Sequence, residues 1–110
     1  MPFVKLKDIK MYYQIIGEGK PLMIIWGMGG EQPSFVESLK TKINGNQLII
    51  FHNRGTGKTD KPDIPYSIEM MAEDTLSLMN HLNIDQAHIL GISLGSRIAL
   101  TLAAKNPERV

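Results

Sequence analysis

The chain has 110 residues, of which 43% are hydrophobic and 21% charged, and its formal net charge is +1. This length suffices for one modest core, and the charge gives no indication of a nucleic-acid or acidic-membrane partner. The lack of cysteine excludes disulfides, thiolate metal sites and a cysteine nucleophile. The first residues lack the apolar core of a signal peptide, and no apolar run approaches the ~20 residues that span a bilayer. We therefore expect a cytoplasmic protein without a membrane partner.

Alternating apolar and polar residues predict two antiparallel strands, at 2–7 and 10–16, and a turn then leads into a third strand at 21–26. The glycine-rich segment after this third strand indicates a loop that follows a buried strand. Ser34 and Glu37 have the spacing of a capping box, which predicts that the first helix begins there.

The apolar segment 47–51 predicts a fourth, buried strand, and a polar loop continues from it to Tyr66. Ser67 is expected to cap the next helix. The apolar residues of that helix form one stripe at helical spacing: Ile68, Met71, Ala72, Thr75, Met79 and Leu82. Because strands and helices alternate after residue 20, the sequence predicts an α/β fold. Its sheet should be mostly parallel and covered on both faces, with about five strands and three helices.

A fifth strand is predicted at 86–90 and a third helix at 96–104. Between them, Gly91-Ile92-Ser93-Leu94-Gly95 has the Gly-x-Ser-x-Gly pattern of a nucleophile elbow, in the strand–turn–helix context that such an elbow requires. Ser93 is expected at the apex in a strained conformation, and glycines at 91 and 95 permit the close approach of the chain on either side. The pattern thus predicts Ser93 as a catalytic nucleophile that attacks a carbonyl carbon.

Two backbone N–H groups are expected to hold the oxyanion that this attack produces. We assign one to Leu94, which lies at the start of the predicted helix. The other is assigned to Met28, in the glycine-rich loop Trp26-Gly27-Met28-Gly29-Gly30. No metal ion or organic cofactor is implied by these residues.

Three segments resemble the α/β-hydrolase family: the loop 26–30, the loop 53–60, and the elbow at 91–96. The resemblance covers essentially the whole chain and is nearest to small esterase, enol-lactonase and cofactor-free haloperoxidase-like members. It implies a small-molecule ester or lactone substrate and an acyl-enzyme. Trp26 and His52 stand where the family usually has histidine and aspartate, and Arg54 is expected to hold backbone carbonyls in its loop.

In this family the acid and the histidine of the triad follow the serine along the chain, whereas the residues after Ser93 include no histidine and no aspartate. His52 is expected ~10 Å from Ser93, with one strand between them. His81 is expected on the surface, and His88 is expected to be buried within the fifth strand. The resemblance therefore implies that residues 1–110 are the N-terminal part of a single domain, inactive alone because its base and acid are missing.

Alternatives remain open at this point. The chain could be a non-catalytic binding module that has kept the hydrolase fold. Gly57-Lys58-Thr59 also imitates the end of a nucleotide-binding P-loop, although His52 stands where that motif begins with glycine. Expected partners are a small ester-like molecule, and either a C-terminal hydrolase half or a second copy paired along the edge of the fifth strand.

Overall fold

Two antiparallel strands precede an alternation of helices and strands, as the hydrophobic pattern predicts. The computed structural model describes residues 3–110, so the predicted first strand begins outside the described residues. The elements are β1 (Phe3–Lys5), β2 (Lys10–Ile16), β3 (Lys20–Ile25), α1 (Pro33–Lys42), β4 (Asn46–Phe51), α2 (Ile68–His81), β5 (His88–Gly91) and α3 (Leu94–Lys105), followed by a 3₁₀ turn (Pro107–Arg109). Within this range no helix is long and apolar enough to cross a membrane.

The sheet has the strand order β1-β2-β4-β3-β5. Its last three strands are parallel, whereas β1 and β2 pair antiparallel with their neighbours. The middle strand of these three is β3, in which Ile24 stands between Ile50 of β4 and Leu90 of β5. Because parallel strands end at the same edge of a sheet, the segments that follow β3, β4 and β5 meet there. This edge is where the predicted site residues lie.

Both faces of the sheet are covered, because successive residues of a strand point to opposite faces. On one face, Met23 and Ile25 of β3 pack into the larger core with residues of α2 and α3. On the other face, Ile24 and Trp26 pack into a smaller core with Val36 of α1. The α/β fold predicted from the sequence is thus confirmed.

The strand β5 lies at one edge of the sheet and pairs only with β3 among the described residues. Ile89 packs against the larger core, whereas Leu90, its neighbour on the opposite face, is half-buried and belongs to neither core. His88 is exposed, so the prediction of a buried histidine is wrong. It is exposed because it is the first residue of a short strand at the edge of the sheet.

The predicted helix starts differ in accuracy. Ser67 caps α2 as expected, since its side chain accepts a hydrogen bond of 3.0 Å from the N–H of Met70. The capping box at Ser34 is wrong: α1 begins at Pro33, and its N-cap residue, Gln32, makes no side-chain capping bond. Proline is favoured in the first turn, where its missing N–H costs nothing. The strand β5 begins two residues after its predicted start, and α3 begins two residues before its predicted start.

Candidate functional site

Ser93 occupies the turn between β5 and α3. Its backbone has φ 56° and ψ −120°, a conformation that residues other than glycine rarely adopt. Its side chain is exposed and makes no capping bond to the helix. A methyl group on Gly91 would collide with the backbone of Gly95, and one on Gly95 would collide with the carbonyl of Ile25. The two glycines therefore let the chain fold sharply and press the turn against the end of β3.

The loop after β3 lies against the same turn. A methyl group on Gly27 would stand 3.0 Å from Ser93 Cβ and 3.5 Å from the nitrogen of Leu94. A hydrogen bond of 3.1 Å from Gly30 N–H to the Gly27 carbonyl closes the loop into a turn, with Met28 at its exposed tip. Within residues 3–110, Met28 N–H donates to no backbone carbonyl. As the first residue of α3, Leu94 has an N–H without a partner inside the helix.

A groove of about 340 Å³ opens beside these N–H groups. Gly27, Met28 and Leu94 border it on the side of the elbow. Its apolar lining comes from the start of α2 and the residues before it, chiefly Tyr66, Ile68 and Met71. This volume is within the range of small-molecule sites. In the sequence, Tyr66, Ile68 and Met71 are predicted only as parts of a loop and of a helix stripe, because it is the fold that brings them to the elbow.

Arg54 is buried behind the groove, with 2% of its surface exposed. Its guanidinium binds Asp74 of α2 through two hydrogen bonds of 2.7 and 2.8 Å, and Asp8 through two of 2.9 and 3.1 Å. The hydrogen bond to Asp74 raises the pKa of Arg54, and that from Arg54 lowers the pKa of Asp8. Arg54 thus joins the loop after β4 to α2 and to the β1–β2 turn. The prediction that it holds backbone carbonyls is wrong, because two carboxylates distant in sequence occupy its donors.

His52 is buried at the end of β4, and both of its ring nitrogens are engaged. Nδ1 accepts a hydrogen bond of 3.0 Å from the backbone N–H of Lys58. The proton therefore lies on Nε2, which donates to Glu31 Oε1 at 2.8 Å. His81 contacts the ring of Tyr13, and His88 lies at the amino end of β5, away from the elbow. None of these histidines is hydrogen-bonded to Ser93.

The loop after β4 does not form a phosphate-binding loop. The Thr59 hydroxyl donates to the carbonyl of His52 at 2.6 Å and accepts from Tyr12 N–H at 3.0 Å. The ammonium of Lys58 lies 4.8 Å from the centre of the Tyr12 ring. The next helix starts only at Ile68, so the helix that a P-loop needs directly after its lysine is not formed. The nucleotide-binding alternative is therefore wrong.

Residues 12–110 match the model of the alpha/beta hydrolase fold family. Over its full length the chain is 32% identical to RutD from Azorhizobium caulinodans, which is provisionally named a carbamate hydrolase. Among solved structures, Est816, described as an N-acyl homoserine lactone degrading enzyme, has a TM-score of 0.90 and 31% identity over 99% of this chain. The enol-lactonase from Burkholderia xenovorans LB400 has a TM-score of 0.87 and 25% identity, also over 99% of this chain.

These relatives are longer than the chain. It spans 42% of RutD, 42% of Est816 and 44% of the enol-lactonase. The match nevertheless includes nearly every residue of the chain, in both sequence and fold. The chain therefore belongs to the alpha/beta hydrolase family.

Proposed function

We propose that this chain supplies the nucleophile and the oxyanion hole of a serine hydrolase that acts on an ester or lactone of a small molecule. The observation that carries the proposal is the backbone of Ser93. A non-glycine residue held at φ 56° and ψ −120° costs about 1–3 kcal/mol, and such strain is concentrated at functional sites. Ser93 is exposed and directly precedes Leu94, which lines the groove, and this supports its assignment as the nucleophile.

In the proposed mechanism, Ser93 Oγ attacks the carbonyl carbon of a substrate whose acyl part occupies the apolar groove. The N–H groups of Leu94 and Met28 hold the resulting oxyanion. Leu94 is a favourable donor to the oxyanion because its N–H lies at the positive end of the α3 dipole. Met28 is favourable because its N–H lies at an exposed turn that contacts the elbow through Gly27.

A general base must take the proton of Ser93 within ~2.6–3.2 Å or through one water molecule. None of the three histidines forms a hydrogen bond with Ser93, and both nitrogens of His52 are engaged elsewhere. We infer that the base and acid come from a polypeptide segment other than residues 1–110, which would then form the N-terminal part of one domain. The chain alone should be inactive.

The substrate class rests on the two solved relatives with 31% and 25% identity, both of which are described as acting on lactones. The groove has the volume for a short acyl chain, and Tyr66, Ile68 and Met71 give it an apolar wall. A non-catalytic binding module remains the second candidate, because the same groove would bind a small apolar molecule without any base.

A chimera separates the two candidates: this chain replaces the matching 42% of Est816, so that the rest of Est816 supplies the other residues of the domain. The chimera should hydrolyse p-nitrophenyl acetate, and Ser93→Ala should abolish turnover. The isolated chain should remain near the uncatalysed rate, with or without Ser93. A folded chimera without Ser93-dependent turnover would favour the binding module. Robust, Ser93-dependent turnover by the isolated chain would show that one of its own histidines acts as the base.

A further inference from the structure

Two consecutive residues after β4 hold the two ends of the loop that carries Met28. We infer that His52 and Asn53 are positioning residues that clamp this loop, residues 26–32, in the shape that an oxyanion donor requires. The functional importance of the clamp rests on the function proposed above, whereas the clamp itself can be tested without any reaction.

The loop has few other constraints. Met28 is 83% exposed, and methyl groups placed on Gly29 or Gly30 would meet nothing within 4 Å. Its one internal backbone bond joins Gly30 to Gly27. A loop with so little packing opens at low cost in free energy, so its order must come from contacts at its ends.

At the first end, Asn53 donates from Nδ2 to the backbone carbonyl of Trp26 at 2.9 Å. Both residues are buried, at 2% and 1% exposure. A buried hydrogen bond of this kind is costly to break, because breaking it would leave the carbonyl of Trp26 without a partner in the interior. The contact fixes the point at which the chain leaves β3.

At the other end, His52 donates from Nε2 to the carboxylate of Glu31 at 2.8 Å. The imidazole itself is fixed on three sides. Its Nδ1 accepts from Lys58 N–H at 3.0 Å, and its ring centre lies 4.6 Å from that of Tyr12, with the two rings tilted by 37°. Its edge abuts Gly57, where a methyl group would collide with the ring. These contacts hold the ring in one orientation, in which the Nε2 proton is directed at Glu31.

The clamp lies at a position where the chain departs from the family pattern. Where the resemblance leads one to expect an aspartate at residue 52, this chain has a histidine, and the histidine binds the carboxylate of Glu31 in the loop. The hydrogen bond between His52 and Glu31 thus links the end of β4 directly to the loop. His52 is not available as a base for Ser93 in this arrangement, since the lone pair on Nδ1 accepts from Lys58 N–H and Nε2 carries the proton donated to Glu31.

The test is hydrogen exchange at the amide of Gly30, whose bond to the Gly27 carbonyl closes the loop, read at single-residue resolution on the 110-residue chain. Glu31→Ala should accelerate exchange by about tenfold or more, because it removes a charge-assisted hydrogen bond. Glu31→Gln keeps an acceptor and should recover most of the protection. Glu37→Ala is the control, since it removes a more exposed glutamate whose ion pair is with Lys40, within α1.

A second readout uses Trp26, the one tryptophan of the chain, which is 1% exposed. Its indole should become more accessible to quenching by acrylamide in His52→Phe, which keeps an aromatic ring beside Tyr12 but loses both nitrogen contacts. Equal exchange in Glu31→Ala and Glu37→Ala, with unchanged quenching in His52→Phe, would overturn the clamp. If the clamp is confirmed but Glu31→Ala leaves hydrolysis by the Est816 chimera unchanged, the clamp stands and the assignment of Met28 as an oxyanion donor fails.

Discussion

Gly27 and Ser93 are closely packed across the gap between the ends of β3 and β5: a methyl group on Gly27 would stand 3.0 Å from Ser93 Cβ, closer than such atoms ordinarily approach. We expect Gly27→Ala to push the loop away from the elbow. A displacement of this kind can cost up to about 100-fold in rate. The measurement is kcat of the Est816 chimera, with its urea midpoint as a check on folding.

Gly29→Ala is the matched control for this prediction, because a methyl group on Gly29 would meet nothing within 4 Å. It should leave kcat within about twofold of the parent, since an added methyl in open space makes no clash. Equal losses in the two variants would contradict the idea that contact with Ser93 matters.

The strain at Ser93 predicts that stability and function conflict at this residue. Ser93→Gly should relieve about 1–3 kcal/mol of backbone strain and lose about 0.5–1 kcal/mol to the greater freedom of glycine in the unfolded chain. The net result is a gain of about 1 kcal/mol in the free energy of unfolding, measured by urea denaturation. Ser93→Ala retains the Cβ and should show no such gain. A glycine variant that is less stable than the alanine variant would contradict the strain argument.

The pairing of Asp8 with Arg54 predicts a dependence of stability on pH. The hydrogen bond from Arg54 lowers the folded-state pKa of Asp8 below its ordinary value of 3.8. The contribution of ionised Asp8 is therefore present above that value and is lost as the pH falls through the lowered pKa. Asp8→Asn should flatten the fall in the urea midpoint below about pH 4. Asp63→Asn, in an exposed part of the loop after β4, should leave the acid limb of the curve unchanged.

The edge of β5 predicts self-association of the isolated chain. In the described part of the structure β5 pairs on one side only, and Leu90 on one of its faces belongs to neither core. An open apolar edge of this kind templates pairing with another chain. Size-exclusion chromatography with light scattering should show dimers or larger species, and Leu90→Lys should shift them towards monomer. A monodisperse monomer with cooperative unfolding would show instead that the chain is self-sufficient.

The fold was predictable from the sequence because the patterns that indicate strands, helices and turns each lie within a few neighbouring residues. Hydrophobic runs and turn residues define each strand, and the alternation of Met23 and Ile24 between opposite faces follows from the pleat alone. The elbow was equally readable, since its glycines and serine lie within five residues. The capping box failed because Pro33 provides a competing start for α1, one residue before Ser34.

Contacts between distant residues were not predictable. Asp8 and Asp74 are 46 and 20 residues from Arg54, and no local pattern identifies them as its partners. The pairing of Glu31 with His52 likewise depends on β3 and β4 being neighbours, with their ends at one edge. His88 was misplaced because the sequence shows that it lies in a strand but not that it is the first residue of that strand.

The central claim is that Ser93 forms the covalent bond to substrate, and mass spectrometry of the quenched reaction tests it most directly. The Est816 chimera is mixed with p-nitrophenyl acetate, stopped in acid within the first turnovers and digested. The account predicts an acetyl group on the peptide that contains Ser93 and its absence in the Ser93→Ala chimera. Acetylation of another residue alone, or sustained turnover by the Ser93→Ala chimera, would contradict it.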